Sequence, residues 1–165
     1  IIQSETNTMK KDYLYRISGG VLILTFLSLT FFEYERILSP LPDFVADERY
    51  IDYSILLYLS CWIIYLLLFL AGILTFFKSK KANLFLLIFS LTVLLEVYFN
   101  EAFYIVKSIS GYPKYVLLGI STISIAYLVS CLFKTKKLNI TEVFLSMVLA
   151  ITIVYLPNAL ITFYF

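Results

Sequence analysis

Residues 17–32, 54–77, 115–133 and 143–165 run without a single charged side chain, and a fifth apolar stretch, 82–106, is broken only by Glu96 and Glu101. A helix needs ~20 apolar residues to cross ~30 Å of hydrocarbon. Inside lipid a helix bonds every backbone N–H and C=O within its own segment, which is why runs of this length enter a bilayer as helices. The expected fold is an all-α integral membrane protein, an antiparallel bundle of five transmembrane helices over about residues 17–34, 54–77, 82–106, 115–133 and 143–165. A single membrane domain covers 1–165.

Composition agrees with that expectation. The chain is 61% hydrophobic and 15% charged, where a soluble domain is about half apolar and about a quarter charged. The charges also set an orientation, because basic residues concentrate in cytoplasmic loops. Lys10, Lys11 and Arg16 precede the first run, Lys78, Lys80 and Lys81 separate the second from the third, and Lys134, Lys136 and Lys137 separate the fourth from the fifth. The opposite side receives the extracytoplasmic loop 35–53 and its acidic residues, with Glu33 read as part of the same acidic segment. An amino terminus inside and a carboxyl terminus outside follow.

The links between runs are short. "KSKKAN" and "KSISGYPK" admit only neighbouring helices, with Gly111 and Pro113 supplying turn chemistry in the second. "NITE" opens the fifth helix with a capping box in which Asn139 and Glu142 satisfy each other's backbone groups. Pro40 and Pro42 point to an extended stretch, followed by an amphipathic turn on the membrane surface. Residues 1–8 are expected to be a leader or remnant ahead of a start at Met9, with the first helix uncleaved.

Several function classes are disfavoured. The net charge is +2 with scattered basic residues, which builds no nucleic-acid surface. Histidine is absent, and with it the commonest metal ligand and general base. No CxxC motif, phosphate-cradling glycine loop or nucleophile with an adjacent base occurs. The expectation is a non-enzymatic protein with no cofactor and no metal.

Glu96 is the residue that most needs an explanation. It stands fifteen residues from Lys81 and eleven from Lys107, about 22 Å and about 16 Å along a helix. A charge at such depth costs ~2.5–3.5 kcal/mol on insertion scales. Glu96, Asn100 and Tyr104 recur at spacing four and form one polar stripe. Asn158, beside Pro157 in "YLPNAL", and Tyr58, on the face Ser54-Tyr58-Cys61-Tyr65, complete a candidate intramembrane polar site. Pro157 removes one helical hydrogen bond and is read as a kink. On the fourth run, Gly119, Thr122, Ala126 and Ser130 form a small-residue face, a seam where another helix approaches closely.

The hairpin "GILTFFKSKKANLFLLIFS" resembles the central hairpin of the small DoxX and MauE membrane proteins, four-span proteins linked to thiol or quinone redox. The chain departs from them in its fifth span and in having no loop cysteines, and it is not assigned to that family.

Three functions fit this reading. The chosen one is a non-catalytic subunit or accessory partner of a larger membrane complex, held in the lipid bilayer of a bacterial cytoplasmic (inner) membrane with other membrane protein subunits as partners. The alternatives are a small proton- or cation-linked carrier or channel using the Glu96 stripe, and a membrane immunity protein against a pore-forming bacteriocin. Topology is checked by reporters placed after Phe165 and between Lys78 and Lys81. The first should read extracytoplasmic and the second cytoplasmic, and readings on one side would remove a span.

Overall fold

The structure, a computed structural model, describes residues 2–34, 48–102, 111–135 and 138–164. These form five helices: α1, Ile2–Phe32; α2, Glu48–Phe76; α3, Ala82–Ala102; α4, Tyr112–Thr135; and α5, Ile140–Tyr164. No strand occurs among the described residues. Three helices are long and apolar enough to cross a membrane, over Tyr13–Phe32, Tyr112–Ser130 and Ile140–Pro157. Shorter apolar stretches, Ser60–Phe76 and Ala82–Tyr98, lie in α2 and α3.

Each apolar run of the sequence falls in one helix, but the helices overrun the runs. α1 starts at Ile2 and not near residue 17, and α2 starts at Glu48 and not at 54. Hydropathy marks where hydrocarbon would end, whereas a helix continues until its hydrogen bonds are capped, and polar flanks are adequate helix formers. The expected extended stretch around Pro40 and Pro42 lies outside the described residues.

α3 is the hub. It packs against α2, α4 and α5, while α1 packs on α2, and α5 also reaches α2. Its buried residues Leu86, Phe89, Ser90, Val93, Glu96 and Val97 occur on more than one face. One core cluster joins α1 to α4 through Leu29, Cys61, Ile64, Tyr65, Leu68, Phe89, Val93 and Leu117.

α1 contributes a narrow stripe, Gly19, Leu22, Phe26, Leu29 and Glu33, alternately three and four residues apart, which is the spacing of a packed helix seam. Gly19 lies against the backbone of Gly72 and Phe76, and Phe26 stacks on Phe69 with ring centroids 4.8 Å apart. Numbers rise along α1 as they fall along α2, so this pair is antiparallel. A Cβ added at Gly19 would collide with the Phe76 backbone nitrogen. Only a glycine lets the two backbones come this close.

The α2–α3 turn is tight. Ser79 N–H donates to the Leu74 carbonyl at 2.8 Å and Lys78 N–H to that of Thr75 at 3.0 Å, the paired bonds of a Schellman cap. Lys78 takes the left-handed position with φ 54°. Gly111 adopts φ 67° ahead of α4, and Pro113 lies in that helix's first turn, as its sequence signal suggested. At the start of α5, Asn139 N–H donates to Glu142 Oε2 at 2.9 Å, one half of the expected capping box.

The distribution of size is inverted relative to a water-soluble protein. α5 turns Ser146, Ala150 and Val154 inward and exposes Phe144, Met147, Val148 and Ile151. α4 buries Leu117, Ser121, Ser124 and Leu128 and exposes Tyr115, Ile123 and Val129. Small residues inside and large apolar ones outside suit a bundle whose solvent is itself apolar.

The two adjacent glycines of α1 separate packing from propensity. A Cβ at Gly20 would find nothing within 4 Å, so Gly20→Ala should stabilise by ~0.5–1 kcal/mol through helix propensity. Gly19→Ala forces the backbones apart and should cost about 1–3 kcal/mol. Thermal midpoints of the two variants in mild detergent should therefore move in opposite directions.

Candidate functional site

The candidate site grows from α3, where Glu96 is 3% exposed. Residues three before and one after it, Val93 and Val97, belong to the same core cluster as Cys61 and Tyr65 of α2. Cys61 and Tyr65 are one helical turn apart, so the inner half of the face Ser54-Tyr58-Cys61-Tyr65 does turn toward the part of α3 that carries Glu96. The side chains of Ser54, Tyr58, Asn100 and Asn158 lie outside the described residues, as does Tyr104 altogether. Pro157 is buried inside α5, which continues helical to Tyr164.

A second carboxylate enters here that the sequence reading had placed in the outer loop. Glu33, at the end of α1, is 7% exposed and buried in the bundle. The Tyr65 hydroxyl donates to its Oε2 at 2.9 Å. Glu33 is the last member of the α1 stripe, four residues after Leu29, and this periodicity was the signal that could have found it. Continuity of the charged segment "EYER" concealed it.

Heights place Tyr65 and Glu96 near one another along the bundle. Tyr65 lies eleven residues from the end of α2 and Glu96 fourteen from the start of α3, about 16 Å and about 21 Å from the shared turn. They differ by about one helical turn. Tyr65 is the element common to both, its hydroxyl holding Glu33 and its ring packed in the cluster that flanks Glu96. Such a group of acids and a phenol can hold or pass a proton or bind a cation.

Four other buried hydroxyls bond within their own helices. Thr75, Thr92, Ser121 and Ser146 donate to carbonyls of their own helices at 2.7–2.9 Å. That internal bonding satisfies them without a partner helix. Ser90 differs, since its Oγ is fully buried and no hydrogen bond reaches it among the described residues.

The small-residue face Gly119, Thr122, Ala126 and Ser130 lies on the outward side of α4, every member exposed. The face that α4 turns inward is instead Leu117, Ser121, Ser124 and Leu128. Thr122 donates to the carbonyls of Leu118 and Gly119, and Ser130 to that of Tyr127. The outward stripe therefore presents no unsatisfied hydroxyl, and a Cβ at Gly119 would meet nothing within 4 Å. Among the described residues no helix packs along it, and a helix from another chain could approach closely there.

No family model, curated protein or solved structure matches the chain.

Tyr65→Phe removes a buried hydrogen bond to a carboxyl group and should destabilise by about 1.5–3 kcal/mol. Ser90→Ala removes a buried hydroxyl that gains no bond, so it should be neutral or stabilise by up to about 1 kcal/mol. Detergent unfolding midpoints check both, and a loss from Ser90→Ala as large as that from Tyr65→Phe would show that Ser90 is bonded.

Proposed function

We propose that the chain is a non-catalytic membrane protein of five spans, amino terminus inside and carboxyl terminus outside, that serves as a subunit or accessory partner of a larger complex in a bacterial cytoplasmic membrane. The carrying observation is the outward face of α4. Gly119, Thr122, Ala126 and Ser130 leave a shallow strip beside large exposed side chains such as Ile123 and Val129. Small residues at a membrane helix surface let a second backbone approach and add dispersion contacts that lipid tails do not match. α1, α4 and α5 add broad apolar surface around it, with Leu24, Phe31 and Phe144 each well over half exposed.

A carrier or channel is the second reading, and the Glu33–Tyr65–Glu96 group favours it. Glu33 and Glu96 are both buried, and an ionisable side chain enclosed within a membrane bundle is a functional-site candidate by default. Within the subunit reading the same residues serve packing, with the Tyr65–Glu33 hydrogen bond tying α1 to α2.

The complex is purified from native membranes in mild detergent and its other chains are identified. Ala126→Leu should lower recovery of partner chains by about tenfold, as a loss of ~1.4 kcal/mol would. It should leave the isolated chain's stability within about 0.5 kcal/mol, because residue 126 is exposed. Ile125→Leu, which conserves volume, should change neither. Glu96→Gln should leave the complex intact. A chain that purifies alone, with proton or cation flux in proteoliposomes abolished by Glu96→Gln, would transfer the function to the carrier reading.

A further inference from the structure

The α2–α3 turn closes one end of the bundle beside a cavity of about 430 Å3 lined by Tyr15 of α1, Lys78, Ser79 and Lys80 of the turn, and Ala82 and Asn83 at the start of α3. We propose that this cavity binds a phosphate-bearing anion, supplied either by the headgroup of an anionic phospholipid or by soluble phosphate. The inference goes beyond the subunit reading, and its soluble-phosphate form does not depend on it.

Charge and donor chemistry carry the argument. Two lysines and no acidic residue line the cavity, and Tyr15, Ser79 and Asn83, which carry hydroxyl and amide donors, are the polar residues beside them. Phosphate oxygens accept such hydrogen bonds, and lysine supplies the compensating charge. The first turn of α3 also brings the positive end of a helix dipole to the lining. A volume of about 430 Å3 falls in the range of small-ligand sites, about 300–1,000 Å3.

The backbone adds an independent observation. Lys78 holds a left-handed conformation, φ 54°, at a helix end where glycine fits without strain. A glycine would ease the turn and remove a charge from the cavity wall.

Position favours a headgroup. The cavity lies just beyond the apolar stretches Ser60–Phe76 and Ala82–Tyr98, which on the proposed five-span topology is the level of the bilayer's phosphates. Basic pockets between spans are a recurrent way of holding anionic headgroups.

The test uses the full chain in mild detergent. Native mass spectrometry compares retained phosphatidylglycerol with phosphatidylcholine, and inorganic phosphate is titrated while the thermal midpoint is followed. Phosphatidylglycerol should be preferred, and Lys80→Gln and Lys78→Gly should each reduce that preference about fivefold. Lys78→Gly keeps the turn at lower strain, so its effect is not one of misfolding. Lys114→Gln, at the opposite end of the bundle, should change the preference less than about twofold, as a general loss of charge would not. A phosphate-dependent rise in midpoint, lost in the two cavity variants and without lipid preference, would assign the site to soluble phosphate. Absence of both responses, or a preference that survives both cavity variants, would overturn the proposal.

Discussion

A helix packed against three others has almost no face left for solvent, and α3 is in that position between α2, α4 and α5. A buried polar group on it is costly unless bonded inside the protein, because an unpartnered polar atom in an apolar surrounding costs about 1–3 kcal/mol by protein mutational measures. Thr92 meets the demand through its own helix. Glu96 is enclosed on the same helix, 3% exposed, between Val93 and Val97 of the core cluster that also holds Tyr65.

Inversion of the size pattern follows from the same enclosure. If α3 is to be surrounded closely, its neighbours must offer small side chains inward, as Ser121, Ser124, Ser146 and Ala150 do. Their large residues are then displaced to the outside. In water this arrangement would expose an apolar surface far larger than the few hundred Å2 that monomeric proteins show. In a bilayer it carries no such penalty, because lipid tails and leucine side chains are equally apolar. The bundle's interior therefore dictates its solvent as much as its solvent dictates the interior.

Five helices were legible in the sequence because apolar run length is a strong signal that tertiary context does not reverse. Turn chemistry at Gly111 and the half box between Asn139 and Glu142 were legible for the same reason, each depending on residues a few positions apart. Rotation about a helix axis was not. α4 carries two rows of small residues, Thr122-Ala126-Ser130 and Ser121-Ser124, and both have helical spacing. Choosing the inward row requires the shape of α3, which no local pattern contains. Glu33 was misplaced by the opposite error. Its charged neighbours suggested a loop, while its place four residues beyond Leu29 put it on the buried stripe, and periodicity outweighs composition when an interhelical contact such as that with Tyr65 is available. Gly19 was missed because a glycine's role in close helix contact depends on what stands opposite.

The turn between α2 and α3 shows two demands meeting at one residue. A left-handed non-glycine residue costs roughly 1–2 kcal/mol, and Lys78 bears that cost. A cation at a helix C-terminus recovers ~0.3–1 kcal/mol from the helix dipole. The two terms leave a deficit that the turn's own hydrogen bonds need not cover, since a glycine would make the same bonds without strain. What glycine lacks is charge. Lys78 stands with Lys80 and Lys81 immediately past the end of α2, where electrostatic attraction to anionic lipid is about 1 kcal/mol per basic residue. On the proposed topology that attraction is of the right size to offset the remaining strain, and it would act at an anionic bilayer surface and not in the isolated chain.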